Sequence, residues 1–141
     1  MCLWIKTKKM LVAEEDIVCY KTLSKTNDGG YCTSYTNTYV PENVINGSDL
    51  FKAEGLLKLE KNERCKNRTR YKYSTEGGLI HSYACKEDPF ETNKKYNFDD
   101  TIFECVIPKG TKYYVGLFDG NSESYASQCI RFVKKIWEPS F

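Results

Sequence analysis

The sequence predicts an α+β domain made mostly of antiparallel sheet, with about six or seven short strands and one or two short helices. Three observations point there. Apolar residues come in short β-branched and aromatic runs, turn-forming residues fall between those runs, and the chain is rich in rings. Its 141 residues include 11 tyrosines and 7 phenylalanines, side chains that suit a pleated, half-buried surface. A β sandwich with small helical additions satisfies the same pattern. The length sustains one core and falls short of that at which chains divide, so residues 1–141 read as one domain.

Taken in order, residues 6–10 form a polar lead-in, and 11–16 fit either a short helical turn or a charged loop. Residues 17–23 are short, β-branched and aromatic, which predicts a strand. Asn27-Asp28-Gly29-Gly30 then predicts a tight turn, because these residues tolerate positive φ, and 31–35 return as the partner strand. Pro41 stops the next segment. Residues 46–49 read as a loop capping a short helix over 50–54, with Gly55 as its stop. Residues 56–59 are apolar but ambiguous in type, 61–70 read as a solvated basic connection, and Tyr71-Lys72-Tyr73 alternates as an exposed strand does. Gly77-Gly78 opens a strand over 79–85, and the polar stretch 86–99 has room for a short helix around Pro89. The most patterned passage follows: a buried strand over 102–107 carrying Glu104, a Pro108-Lys109-Gly110 connection, and a second strand resuming at 113–115. Residues 116–122 read as a loop, and 129–137 alternate as a last strand.

Composition narrows the function. Lysine and arginine (21) barely exceed aspartate and glutamate (19) and are scattered, so no electrostatic stripe for nucleic acid stands out and no nucleic-acid partner is expected. No apolar run approaches the roughly 18 residues of a spanning helix, so no membrane partner is expected either. The opening Met1-Cys2-Leu3-Trp4-Ile5-Lys6 lacks the layout of a secretory signal, which points to the cytoplasm. The seven cysteines are odd in number and widely spaced, and the chain has one histidine and no Cys-x-x-Cys pair. They read as reduced thiols, with no metal site.

Phosphate-loop, serine-hydrolase and paired-histidine signatures are absent, so chemistry rests on scattered residues. His81 is the single imidazole; it serves as a base or simply hydrogen-bonds a neighbour. Cys105, flanked by Glu104 and Val106, reads as a core thiol rather than a nucleophile. Three segments taken together, in the order Cys19-Tyr20-Lys21-Thr22, His81-Ser82-Tyr83 and Glu104-Cys105-Val106-Ile107-Pro108-Lys109-Gly110-Thr111-Lys112-Tyr113, resemble the dispersed Arg-Ser-Glu motif of short mono-ADP-ribosyltransferases. That resemblance implies an ADP-ribosyltransferase-like fold and NAD or a related nucleotide as ligand. Lys21 would contact the phosphates, Ser82 would position the ribose, and Glu104 would act as the catalytic carboxylate beside the developing sugar cation. His81, Tyr83 and Tyr113 would complete the ligand-binding set. The sequence departs from the family at Lys21, which lacks the planar fork of arginine, and at Ile102, where an acceptor-side acid would stand.

The opening four residues, the run 15–21 and the closing Ser124-Tyr125-Ala126-Ser127 also resemble small proteins of bacteriophages and gut bacteria. That likeness implies a partner in host defence, either an immune protein or its nucleotide signal. Three readings stand: a binding module for a nucleotide-derived molecule or a host protein, an active NAD-dependent ADP-ribosyltransferase, and a protein-interaction domain with no ligand pocket.

Overall fold

A computed structural model describes residues 3–5, 9–34, 37–53, 59–61, 73–75, 79–118 and 122–140, with side chains omitted at 3–5, 59–61 and 73–75. Its spine is the pair β3 (Ile17–Lys25) and β10 (Thr101–Ile107), in register from Ile17↔Ile107 to Leu23↔Thr101. Both strands are β-branched and aromatic, and such side chains pack well on a pleated surface. On the far side of β10 lies β13 (Cys129–Trp137). The other half of the sheet joins β9 (Ile80–Tyr83), β12 (Ser122–Ser127) and β11 (Lys112–Phe118). Among the described residues, the halves meet at one β-bridge, Tyr20↔Tyr83.

Short strands extend these halves. β1 (Leu3–Ile5), β8 (Tyr73–Thr75) and β7 (Leu59–Lys61) continue beyond β11, and β2 (Leu11–Val12) also pairs with it. β4 (Tyr31–Thr33) and β5 (Tyr39–Val40) flank β3, and β6 (Phe51–Lys52) flanks β13. Every pairing among the described strands is antiparallel. With α1 (Glu42–Ile45) and α2 (Glu87–Tyr96) the domain is α+β and mostly antiparallel, as the residue pattern predicts.

The strand count differs. Thirteen strands form among the described residues, ten of them on one continuous path, where six or seven were expected. The surplus is mostly pieces of two or three residues, whose order comes from their neighbours rather than their own sequence. The expected helix over 50–54 is also overturned where it is described, because Phe51–Lys52 forms β6 against Cys129 and Ile130. Helix α1 instead precedes that loop, with Pro41 at its N-cap. Gly47 follows it at φ +83°, and a Cβ there would lie 2.7 Å from the Phe132 carbonyl oxygen, so the turn needs a glycine.

The expected loop over 116–122 is strand at both ends: β11 runs to Phe118, and β12 starts at Ser122. β12 reads Ser-Glu-Ser-Tyr-Ala-Ser and carries almost no hydrophobic signal. The passage around Pro108 is two strands as expected, yet they do not pair with each other. β10 pairs with β3 and β13, while β11 pairs with β12, β2 and β1. The turn between them crosses from one half to the other and is tied to residues 13–16. Gly110 N–H donates to the Ala13 carbonyl at 2.8 Å, and Lys109 N–H donates to Asp16 Oδ1 at 2.9 Å. Residues 13–16 are therefore the charged loop rather than the helical turn. The Gly29 turn, the β3–β4 hairpin and β13 match expectation. Residues 54–58, 62–72 and 76–78, including the basic connection and the glycine pair, lie outside the described set.

Alternation along these strands gives the sheet two distinct faces. One, called inner here, presents Cys19, Leu23, Phe103, Cys105, Ile107 and Phe132, with Ile80 from the second half and Val44 from α1, as one buried cluster. Phe103 lies edge-on to both Tyr31 and Phe132 at 5.3 Å. The outer face holds a smaller cluster of Tyr83, Tyr114, Phe118 and Ala126, flanked by Tyr20 and Leu79.

Candidate functional site

Strand parity decides which candidate side chains can meet. Glu104 stands opposite Tyr20 across β10–β3 and opposite Lys134 across β10–β13, and Tyr20 stands opposite Tyr83. This makes one transverse row, Lys134, Glu104, Tyr20 and Tyr83, on the outer face. Lys21 stands opposite Phe103, so it shares the inner face with Cys19 and Cys105. Ser82 stands opposite Tyr125, and both point inward, as does Tyr113 against Tyr125 at 5.8 Å. His81 and Tyr83 point outward. Six candidates therefore split evenly: His81, Tyr83 and Glu104 outside, Lys21, Ser82 and Tyr113 inside.

The inner set is set into packing. Ser82 is fully buried, and its hydroxyl lacks a regular hydrogen bond among the described residues, with the weak Cys19 thiol beside it. Burial lowers the Lys21 ammonium to about 8, although the Cys105 and Cys19 thiols and Asp100 act in the opposite direction. Burial pushes the Cys19 thiol up to about 11, and the Cys105 thiol rises well above its usual range for the same reason. An amine enclosed in this way is poorly placed to reach a pyrophosphate in solvent.

The outer set is no more exposed as a whole, since Tyr83 is as enclosed as the residues of the core. Glu104 is half-buried, and burial followed by the Glu104 and Glu87 charges raises the Tyr20 hydroxyl. β13 carries an extra residue on each side of the Phe103–Glu104 pair, Ile136 and Val133, so the register shifts at both places. Such irregularities re-aim side chains and recur beside functional positions. His81 packs on Tyr83 at 4.9 Å and Phe118 at 5.2 Å. Burial, then the Lys21 cation, lowers its imidazole to about 3, so it is neutral at physiological pH. Its Nε2 has no partner among the described residues.

Phe118 also floors a cleft of about 320 Å³, walled by Asp88, Glu91, Thr92, Lys95 and Tyr96 of α2 and by Ser122 of β12. Those α2 positions follow i, i+3, i+4, i+7 and i+8 spacing, which places them on one helix face. The helix begins with acids and ends with lysines, complementing its dipole, and Asn97 closes it in the left-handed conformation at φ 55°. It is pinned to the sheet where Asn93 Nδ2 donates to the Asp100 carbonyl at 3.0 Å and where Phe90 meets Trp137. Burial, then Glu87 and Glu91, raises the Asp88 carboxyl. Phe118 joins the cleft to the candidate set, packing on both His81 and Tyr83. The one sequence signal for the cleft was the polar helical stretch around Pro89.

The class that emerges is a two-faced antiparallel α+β domain with an aromatic and acidic cleft between a helix and the sheet. No family model matches the chain, and no curated protein or solved structure matches it either. Among the described residues no group of three or more metal-ligating side chains gathers, and no helix is long and apolar enough to cross a membrane.

Proposed function

We propose that the protein is a non-catalytic binding module that seats a nucleotide-derived ligand in the α2 cleft. The observation that carries this reading is the split of Lys21 and Ser82 from Glu104 onto opposite sheet faces, because ADP-ribosyl transfer needs all three around one dinucleotide. Binding needs less. The exposed Tyr96, with Phe98 stacked on it, offers an aromatic wall to a base over the buried Phe118 floor, Asp88 and Glu91 accept hydrogen bonds from ribose hydroxyls, and Lys95, its ammonium 5.1 Å from the Tyr96 ring centroid, supplies a cation for phosphate. Two carboxylates against one lysine disfavour a polyphosphate, so a ligand with one or two phosphate charges fits best. The cleft volume lies at the small end of ligand sites, about 300–1,000 Å³. In a bacterial host, a phage-encoded module of this kind would antagonise defence by withdrawing a nucleotide signal.

The test is titration calorimetry with NAD and with cyclic mononucleotides, with mass spectrometry on the bound fraction. A ligand recovered intact, with Tyr96→Ala weakening it about tenfold or more, supports the reading. Nicotinamide release, or no nucleotide bound at all, overturns it. The second reading, an NAD-dependent mono-ADP-ribosyltransferase with the ADP-ribosyltransferase-like fold, draws support from the two register shifts framing Glu104. Under it, Glu104→Gln abolishes NAD consumption in a protein that still folds; undiminished turnover in that variant removes it.

A further inference from the structure

Cys19 and Cys105 stand directly opposite each other on β3 and β10, one pair from the centre of the longest continuous register among the described strands. Both are fully buried, free thiols on the inner face. Directly opposed residues of an antiparallel pair hold their Cα atoms about 4.5–5.5 Å apart, inside the roughly 4.4–6.8 Å that a disulfide spans. Their Cβ atoms, about 4.5–5.5 Å apart in such a pair, exceed the mean of about 3.8 Å in disulfides, so the bond would draw the strands together and carry strain. Lys21 lies two residues along β3 on the same face, and its cation favours the thiolate of both cysteines.

We propose that Cys19 and Cys105 are an oxidisable cross-strand dithiol, a modification site at which a low-molecular-weight disulfide converts the two thiols into a reversible cystine between β3 and β10. The steps balance. When the strand pair opens, one cysteine thiolate attacks the reagent disulfide, forming a mixed disulfide and expelling one reagent thiolate, which takes up a proton. The second cysteine loses its proton to solvent and attacks the protein sulfur of that mixed disulfide, forming the Cys19–Cys105 bond and expelling the second reagent thiol. Two electrons leave the protein dithiol and reduce one reagent disulfide to two thiols. Burial makes the reaction slow until β3 and β10 part, so its rate follows that opening. Strain makes the product readily reducible, the property of a labile rather than a structural disulfide.

The full chain is incubated with oxidised glutathione at mildly alkaline pH, with and without urea below the unfolding range, and then digested without reduction. The expected map joins the Cys19 peptide to the Cys105 peptide, and joining is faster in urea. Loop closure and native-state strain act in opposite directions, so the thermal midpoint shifts on oxidation and returns to its starting value on reduction. Cys85→Ser, which removes an exposed thiol, keeps the link and the shift; Cys105→Ala loses both. If Cys105→Ala fails to fold, the map of Cys85→Ser alone decides. Full alkylation of Cys19 and Cys105 after denaturation, under conditions that glutathionylate Cys85 in the unsubstituted chain, overturns the proposal, as does Cys19 linked to any other cysteine.

Discussion

The two faces of the β3–β10 pair carry alternating residues of the same two strands, yet they do opposite things. Lys21 and Ser82 point inward, onto the face of the buried Phe103, Phe132 and Leu23, where burial lowers the ammonium to about 8 and leaves the Ser82 hydroxyl without a regular hydrogen bond among the described residues. Glu104 and Tyr20 sit one residue away on the outer side, half-buried, in one row with the buried Tyr83 ring and the exposed Lys134. A one-residue step in a strand therefore separates the enclosed Lys21 ammonium from the half-buried Glu104 carboxylate. Residue type alone does not make a site; the face does.

The largest expected effect tests whether the inner face is the structural one. Phe132→Ala, at a position 1% exposed, should destabilise the fold by about 3–5 kcal/mol in urea unfolding. A loss under about 1 kcal/mol would mean that the inner cluster does not hold the fold. Next is His81. Its folded-state value near 3 lies below the unfolded value near 6.5, so below pH 6.5 the unfolded chain binds a proton that the folded one refuses. Stability should fall as pH drops from 6.5 towards 3, by up to about 1.4 kcal/mol per pH unit from this group. His81→Phe should flatten that part of the profile, and an unchanged slope would show that the imidazole reaches water.

Lys21 sharpens the comparison from the other side. Its folded value of about 8 lies below the ordinary 10.5, so its cost is fully present below pH 8 and disappears as pH rises through 10.5. Lys21→Met should be more stable than the parent at pH 7, on the order of 2 kcal/mol, and the gap should close by pH 10.5. Taking the difference between the two proteins removes the tyrosine and cysteine titrations common to both. A destabilised Lys21→Met would reveal a strong ion pair at the amine instead. The smallest effect belongs to Glu104→Gln: a half-buried, isosteric change should shift stability by no more than about 0.5 kcal/mol, and a loss several times larger would mean that Glu104 is structural too.

Local patterning made much of the fold legible. The β-branched run of β3, the Asn-Asp-Gly-Gly turn, the strand over 80–83 and the alternation of β13 each carried their own signal. The serine-rich β12 did not, because its burial comes from being paired between β9 and β11 rather than from its side chains. Phe51–Lys52 reads equally well as helix, and the neighbouring edge of β13 decided it. Of the candidate site, the sequence supplied the residues but not the company they keep. Lys21, Ser82 and Glu104 occur in the order of a known motif, yet order along a chain does not specify face.

What the sequence determined by itself is the material: short strands, tight turns, an antiparallel α+β class and a set of chemically capable side chains. These follow from local sterics and side-chain shape, which act within a few residues. The tertiary structure alone decided that the turn at Pro108 crosses between two half-sheets, that Cys19 opposes Cys105, and that α2 closes a cleft over Phe118. Those facts depend on register between strands up to about a hundred residues apart, and register is set by burying one face of every strand at once.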